Sequence, residues 1–539
     1  MAAPRARDRA HDREPASTTS LLRGLPGRRR RGRLEWRLLR WQARLDTAWV
    51  DRVVPAATAA LLFAVWTAMA FTRFDRLDAG DTMARHLQAI WHLSTNHAPT
   101  VTIGVGDNLF ADRLPILLAP VGLLARVVPA VPLLLTIQSA SLALGVFPLW
   151  RLARHVANLG VGSASALLLA YALHPAIADL DLADFNPAAM ALTPLLAAAY
   201  FAERRRWGWF TVASTIAVLW SSELAIVVAT FGAVLLLDRQ GRPARRSVVL
   251  GLAWVTVALL FIQAPLGTTG LVGPGAFHAY GSNGLDVIIE MVRNPFRPLG
   301  DVLGRDNLEL VVWTLGPLLF LPVLALRKLV PALPLTALYF VADVHMTGPE
   351  GGGRMVPLVA FSFVAAAFAL ARLGRIRIDR MLLDRRLLGL VVVAAVAAAA
   401  LTSPLSPYER PWRTFNPDEH DDRVALARIP SHVPIRVPEA LAPRVAERDT
   451  VLVLEDEFPA DADGSRRFPP PAELVDGVRA LVIDTRVFGL DEAGAERLRS
   501  ALQVFGFLQV RRSGNLRIYL PYTDPPDPET PVEDPQLGN

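Results

Sequence analysis

Long uncharged apolar runs alternate with short arginine-bearing connectors over most of the chain. The run 387–403, LLGLVVVAAVAAAALTS, holds no charge and is about long enough to cross a bilayer. Lipid offers backbone amides no partner, so a spanning segment must be a helix or part of a closed barrel. These runs are continuous rather than alternating, which predicts helices. Eleven are expected, at about 54–72, 131–150, 161–178, 187–202, 208–221, 223–237, 247–265, 309–326, 329–345, 355–371 and 387–403.

Charge orients them, because short cytoplasmic loops are enriched in Lys and Arg. With the N-terminus inside, the inner loops hold Arg151 and Arg154, Arg204–Arg206, Arg239, Arg242, Arg245 and Arg246, Arg327 and Lys328, and the basic segment 372–386. The outer loops 179–186 and 346–354 hold only Arg354. The pattern requires 208–237 to be a hairpin turning at Ser221-Ser222, and 110–128 not to span. Arg113, Pro115, Pro120 and Arg126 suit the latter to a helix at the outer interface. The segment 80–95 places Met83, Leu87, Ile90 and Trp91 on one helical face. The first outer loop, 73–130 within a transmembrane region 51–404, therefore carries two expected interfacial helices.

Beyond that region Pro, Asp, Glu and Arg rise and no spanning run follows. Strands are expected at 450–454 and 480–483, a helix at 491–504, and a hairpin of 507–512 and 515–520 around Ser513-Gly514. Residues 405–522 thus form a small extracytoplasmic α/β domain, followed by a Pro- and Asp-rich tail, 523–539, expected to be disordered. The first 50 residues are basic and cytoplasmic; their early part is expected to be disordered, and 33–50, with Trp36, Trp41 and Trp49, suits an anionic inner leaflet. No signal peptide is expected, since the first apolar run starts far from Met1. The fold class is a polytopic α-helical protein of the plasma membrane with an α/β C-terminal domain outside.

Composition adds little to this picture. Hydrophobic residues make up 52% of the 539 positions. The isoelectric point near 10.1 comes from arginines lying between apolar runs, so membrane topology accounts for it and no nucleic-acid partner is expected. Cysteine is absent, which excludes disulfides, zinc–thiolate sites and thiol nucleophiles.

On this topology the polar residues gather on the outer side. The first loop offers Asp75, Asp78, Asp81, Asp107 and Asp112; the next outer turn His174, Asp179, Asp181, Asp184 and Asn186; then come Glu223, His345, Glu350 and Arg354. A carboxylate beside an apolar wall is where a raised pKa makes a general base. Asp75, Asp78, Asp107, Asp179 and Asp181 are expected to be solvated loop charges. Asp81 is either the N-cap of the 82–95 helix or a catalytic base, and Asp184 is either the cap of the helix starting near Pro187 or part of a site. His174, before Pro175, reads as structural or substrate-facing. Glu223, in Trp220-Ser-Ser-Glu-Leu-Ala-Ile, either forms a capping box with the serines or has a chemical role. Arg354, after Gly351-Gly352-Gly353, suits an oxyanion held by backbone amides and a guanidinium.

Several of these stretches together resemble a family of bacterial multi-pass membrane proteins of unknown function in the GT-C glycosyltransferase clan. They are Asp81 with Gln88-Ala-Ile-Trp91, Leu114-Pro-Ile-Leu-Leu-Ala-Pro120, Phe147-Pro-Leu-Trp-Arg-Leu-Ala-Arg154, Leu173-His-Pro175, Asp184-Phe-Asn-Pro187, Glu223-Leu-Ala-Ile-Val-Val and Pro357. The family often shows Phe-His-Pro-Glu where this chain has Phe185-Asn-Pro-Ala188, and Lys-Glu-Asp where it has Ser222-Glu223-Leu224. The resemblance implies transfer of a sugar from a polyprenyl-phosphate donor on the outer membrane face, with inversion. It implies Asp81, then Asp78, as base, Glu223 for the acceptor or a metal, and Arg354 for the phosphate. His174, Asp184, Asn186, Asp112 and His345 are implied as substrate-binding. Membrane lipids and the lipid-linked sugar are the expected partners, and a divalent cation, Mg or Mn, is the cofactor such chemistry could use. Two other classes stay open: a non-catalytic envelope scaffold using the outer domain, and a lipid or solute transporter. Against the transporter, the ionisable residues lie at the outer boundary rather than mid-membrane, and no halves repeat.

Overall fold

A computed structural model describes residues 47–77, 79–104, 108–267, 276–277, 279–281, 284–342, 344, 351–376, 385–404, 406, 417–457, 469–486 and 489–522. The chain is mostly helical, with a small sheet near its C-terminal end. Helix Val50–Asp75 buries Val50, Pro55, Ala59, Leu62, Trp66, Ala70 and Phe74, one stripe at helical spacing, and leaves Leu61 and Val65 exposed on the other side. Ala130–Val156 and Gly352–Leu373 are the more deeply packed long helices. Leu224–Leu237 and Gly241–Leu266 lie so close that a Cβ on Gly251 would stand 2.4 Å from the Ala225 carbonyl, the small-residue contact that lets helix backbones approach.

By length and apolarity, four described helices suffice to cross a membrane, or six if each bent pair is one span. The other apolar runs are shorter: Trp207–Trp220 and Leu224–Leu237 have 14 residues each. At about 1.5 Å per residue such a helix reaches roughly 21 Å, less than a hydrocarbon core of about 30 Å. Among the described residues, length and apolarity do not confirm the count of eleven. Bends divide what composition joined. The run 161–178 bends by 43° between Val161–Ala172 and Pro175–Leu182, where Pro175 starts the second helix, and Arg305–Leu318 and Leu321–Leu329 bend by 87° at Leu319 and Phe320, both at positive φ. Segment 110–128 is, as its prolines imply, not a long helix: it breaks into a short 3-10 turn at Leu109–Ala111 and the helix Leu118–Leu124. Two amphipathic helices, Gly284–Arg293 and Phe296–Val302, lie in a region for which no element was expected.

The C-terminal sheet has five strands in the order β2-β1-β3-β5-β4. They are β1 (Ile435–Val437), β2 (Val451–Val453), β3 (Ala480–Asp484), β4 (Phe507–Ser513) and β5 (Leu516–Pro521). β1 pairs in parallel with β2 and β3, and β5 runs antiparallel to β3 and β4. The β4–β5 turn passes through Gly514 at φ +50°, and Asp491 caps helix Glu492–Val504 through the Gly494 amide at 2.6 Å. β1 escapes a sequence reading because it is only three residues long and lies between Pro434 and Pro438.

This sheet is not a separate body. Met83, Leu87 and Ile90 of the loop helix Asp81–Ser94 share one apolar core with Val101, Ile103, Ile435, Val437, Val451 and Val453. Burying each such side chain contributes about 1.5–3 kcal/mol. Polar bonds fix the register. Gln88 donates to Thr102 Oγ1 and to the carbonyls of Arg448 and Asp449 at 3.0, 3.1 and 3.1 Å. Arg444 donates to the Phe74 carbonyl and Asp75 at 2.8 and 2.9 Å, stacks over the Phe74 ring, and shares Asp75 with Arg423. Asp75, expected to be a solvated loop charge, is thus the seat of a two-arginine clamp.

Candidate active site

The loop 111–117 and the hairpin turn Ser221–Glu223 are stitched together: the Ser222 amide donates to the Arg113 carbonyl at 2.7 Å, and the Leu117 amide to Leu219 at 3.3 Å. Arg113 and Leu114 both hold φ +47°. Two consecutive non-glycine residues in the left-handed region cost on the order of 1–3 kcal/mol each, and such strain concentrates at functional sites. The strain presents Arg113 to Glu223, Nε to Oε1 at 3.4 Å, with both side chains well buried. Tyr339, on helix Leu333–Val341, donates its hydroxyl to the other oxygen of Glu223. Glu223 therefore makes no capping box: both carboxylate oxygens are engaged by side chains from other elements.

A second pair adjoins the first. Arg85 of the loop helix binds Asp112, Nη1 to Oδ2 at 3.2 Å. Burial pushes the Asp112 carboxyl up, but Arg113 and then Arg85 outweigh it and hold the group below the usual carboxylate range. Arg354 lies within electrostatic reach of Arg113, Glu223, Tyr339 and Asp112. Among the described residues, the guanidiniums of Arg85, Arg113 and Arg354 thus gather around the carboxylates of Asp112 and Glu223. Beside them, burial pushes His86 down to about 4, so the ring is neutral near pH 7; its Nδ1 lies 2.6 Å from the Thr82 carbonyl and its ring packs edge-on against Phe185.

The capping roles expected of Asp81 and Asp184 both shift. Asp81 is the first residue inside the loop helix, one past the cap position at Gly80, and Thr82 Oγ1 reaches it at 3.4 Å. The helix start is instead capped from outside. Asp184 accepts from the Met83 amide at 3.0 Å and from the Phe185 amide at 2.8 Å. Burial pushes the Asp184 carboxyl up to about 7. The turn at Pro187 is capped by Asn186, which accepts from the Ala188 amide at 3.0 Å. Asp184 and Asn186 are thus loop-fixing groups.

Gln138, which sequence reading passed over, organises that loop. It donates to the carbonyls of Leu180, Asp181 and Asp184 at 3.0, 3.2 and 3.1 Å and accepts from the Asn186 amide at 2.8 Å. A lone glutamine in an apolar helix was the available signal. Asp181, expected in solvent, is buried and accepts from Ser139 at 2.9 Å. Gly353 packs on Asn186: a Cβ there would stand 2.4 Å from Oδ1. The glycine run is therefore a close-packed helix start that delivers Arg354, not an open nest. His174 is buried at the 43° bend, 3.0 Å from the Thr314 carbonyl and edge-on to Phe363, apart from the charged cluster. Asp78 and His345 lie outside the described residues, as do Asp107 and Glu350.

Among the described residues no three His, Asp or Glu gather as a metal site. Asp112 and Glu223 face guanidiniums, and both oxygens of Asp184 accept backbone amides.

Fold and site together describe a polytopic helical membrane protein with a guanidinium–carboxylate cluster where a covered loop helix meets the bundle. The chain belongs to the family described as predicted membrane protein (DUF2079), whose model matches residues 83–469, in keeping with the dispersed motifs. None of the curated proteins matches the chain. Among solved structures it is similar to ArnT from Cupriavidus metallidurans bound to undecaprenyl phosphate, at 13% identity over 89% of this chain and 99% of that one, TM-score 0.48. The apo form of that protein gives 14% identity over 86% and 98%, TM-score 0.47.

Proposed function

We propose that the protein is a glycosyltransferase that moves a sugar from a polyprenyl-phosphate carrier to an envelope acceptor on the outer face of the plasma membrane, with its N-terminus cytoplasmic and its C-terminal domain outside. The observation that carries this reading is the convergence of Arg85, Arg113 and Arg354 around Asp112 and Glu223, one turn along the loop helix from Asp81.

The chemistry divides between Asp81 at the start of that helix and the arginines one turn along it. Asp81 takes the proton of the acceptor hydroxyl, whose oxygen then bonds to the anomeric carbon from the face opposite the leaving group. The bond from that carbon to the phosphate oxygen breaks, and the lipid phosphate departs with the electron pair. Arg354 and Arg85 balance its growing charge, a donor arrangement most effective where water is excluded. Glu223 is a positioning residue here: Arg113 faces one of its oxygens at 3.4 Å and Tyr339 donates to the other. Asp184 caps the helix that carries Asp81 and so sets the base relative to the arginines.

The test is transfer from a lipid-linked sugar in proteoliposomes, comparing wild type with Asp81→Asn and Arg354→Gln. Losses of about a hundredfold or more are expected of both, the range for removing a general base or a charge-stabilising donor. Wild-type turnover in Asp81→Asn removes it as base, wild-type turnover in both removes the site assigned here, and no transfer by the wild type removes the transferase reading.

A further inference from the structure

The helices Gly284–Arg293 and Phe296–Val302 carry an apolar stripe that nothing in the chain covers among the described residues. Ile289, Val292, Phe296, Leu299 and Leu303 are 46%, 74%, 84%, 52% and 55% exposed. Their spacings run three, four, three, four, which places them on one face through both helices. The short break between the helices preserves that face: the Asn294 amide donates to the Glu290 carbonyl at 2.9 Å, and the Arg297 amide to the Asn294 carbonyl at 3.1 Å.

The pair is anchored from its other side. Val302 packs against the main apolar core, and Asn307 donates to the carbonyls of Asp301 and Phe340 at 2.7 and 3.2 Å. Large aliphatic and aromatic side chains at helical spacing do not face bulk water without cost, and a contiguous exposed patch of this kind marks an interaction surface.

Two features select its occupant. Exposed apolar residues also lie on the helices that precede and follow it in the chain, Leu260 and Phe261 before it and Leu308, Val312 and Trp313 after it. Arg293 and Arg297 flank it, both exposed; Arg297 also stacks over Tyr280 and faces Glu290 at 3.9 Å. Apolar residues on one side with arginines at the margin match the boundary between acyl chains and anionic phosphates.

We propose that this helix pair lies in the lipid–water interface as a second membrane-seated loop, its stripe among the upper acyl chains and its two arginines at headgroup level. The proposal rests on the membrane reading and not on sugar transfer. Helix Phe296–Val302 packs against Leu333–Val341, which carries Tyr339 of the charged cluster. The interface therefore comes up beside the cluster, the side from which a lipid-borne headgroup would reach Arg354.

The absence of cysteine makes the test direct. Val292→Cys, Phe296→Cys, Leu299→Cys and, on the opposite face, Asn294→Cys are each introduced into the full chain. Each variant is nitroxide-labelled and placed in nanodiscs of phosphatidylethanolamine and phosphatidylglycerol. Power saturation then compares dissolved oxygen, which concentrates in lipid, with a water-soluble nickel chelate. Labels at 292, 296 and 299 are expected to favour oxygen several-fold over the chelate, and the label at 294 the reverse. Equal chelate access at all four positions overturns the proposal. Immobile labels at 292, 296 and 299 shielded from both reagents also overturn it, because they place a protein partner on the stripe. Failure of sugar transfer leaves these readouts unchanged, so the two readings fail separately.

Discussion

The Thr102 hydroxyl donates to the Val451 carbonyl at 2.8 Å and accepts the Val451 amide at 2.9 Å. A single side chain of the first loop thus occupies the free edge of β2, the outermost strand of the sheet on that side. An exposed edge invites pairing with another chain, and here the loop itself closes it.

Thr102→Val should keep the shape and strand both Val451 groups. Each unpaired buried polar group costs about 1–3 kcal/mol, so a loss of roughly 2–4 kcal/mol is expected in the thermal unfolding of the detergent-solubilised protein. Thr102→Ser, which keeps the hydroxyl, should remain within about 1 kcal/mol of wild type. Equal losses in the two variants would mean that the methyl, not the hydroxyl, holds the edge.

Glu223→Gln removes one of the two carboxylates whose charges act with buried Arg113. Breaking a buried pair from one side costs about 3–5 kcal/mol, and transfer activity should fall with it. Adding Arg113→Gln should restore part of the stability but none of the activity. A double variant no more stable than Glu223→Gln alone would show that the two residues are uncoupled.

Asp184 carries a pH signature. Its carboxyl is raised by burial to about 7, against roughly 3.9 in an unfolded chain. Between those values the folded state holds a proton that the unfolded state has released. Stability from this group is therefore complete below about pH 4, declines as pH rises toward 7, and is flat above it. Asp184→Asn, which keeps one carbonyl-type acceptor for the Met83 or Phe185 amide, should flatten the dependence of melting temperature on pH across that window. An unchanged slope would assign the dependence to another group.

Gly353→Ala places a methyl against Asn186 Oδ1, a 2.4 Å approach that something must relieve. Overpacking of this kind costs about 1–3 kcal/mol. Asn186→Ala clears the space, so the double variant should be more stable than Gly353→Ala alone. A double variant less stable than that single one would place the cost elsewhere.

Arginines face the carboxylates of the cluster. Exhaustive chelation should leave the rate of lipid-linked sugar transfer within twofold or so of the untreated protein. Loss of transfer on chelation, restored by magnesium or manganese alone, would place a cation at the cluster.

Much of the fold was legible without coordinates. Apolar runs marked helices because a backbone in lipid has no other partner, and Met83, Leu87, Ile90 and Trp91 marked the loop helix by period alone. Ser513-Gly514 marked the hairpin, and the last helix was legible at 491–504. These are local signals, carried within one or two turns of chain. The span count was not local. Length and apolarity leave Trp207–Trp220 and Leu224–Leu237 short of a full crossing, and bends divide other runs.

The candidate site divides the same way. Residue type alone singled out Asp81, Asp112, Asp184, Glu223 and Arg354, since charges beside apolar helices need partners. Which partner each takes was decided only by packing. Arg113 meets Glu223 because a strained loop and a hairpin turn are stitched together. Asp184 caps the loop helix from across the bundle, leaving Asp81 on its outer turn. Gln138 reads four backbone groups of a loop distant in sequence. The pattern of side chains along the chain determines what must be buried and what must be charged. Only the folded arrangement brings distant segments within hydrogen-bond reach, and at that range desolvation and Coulomb attraction become large enough to choose among them.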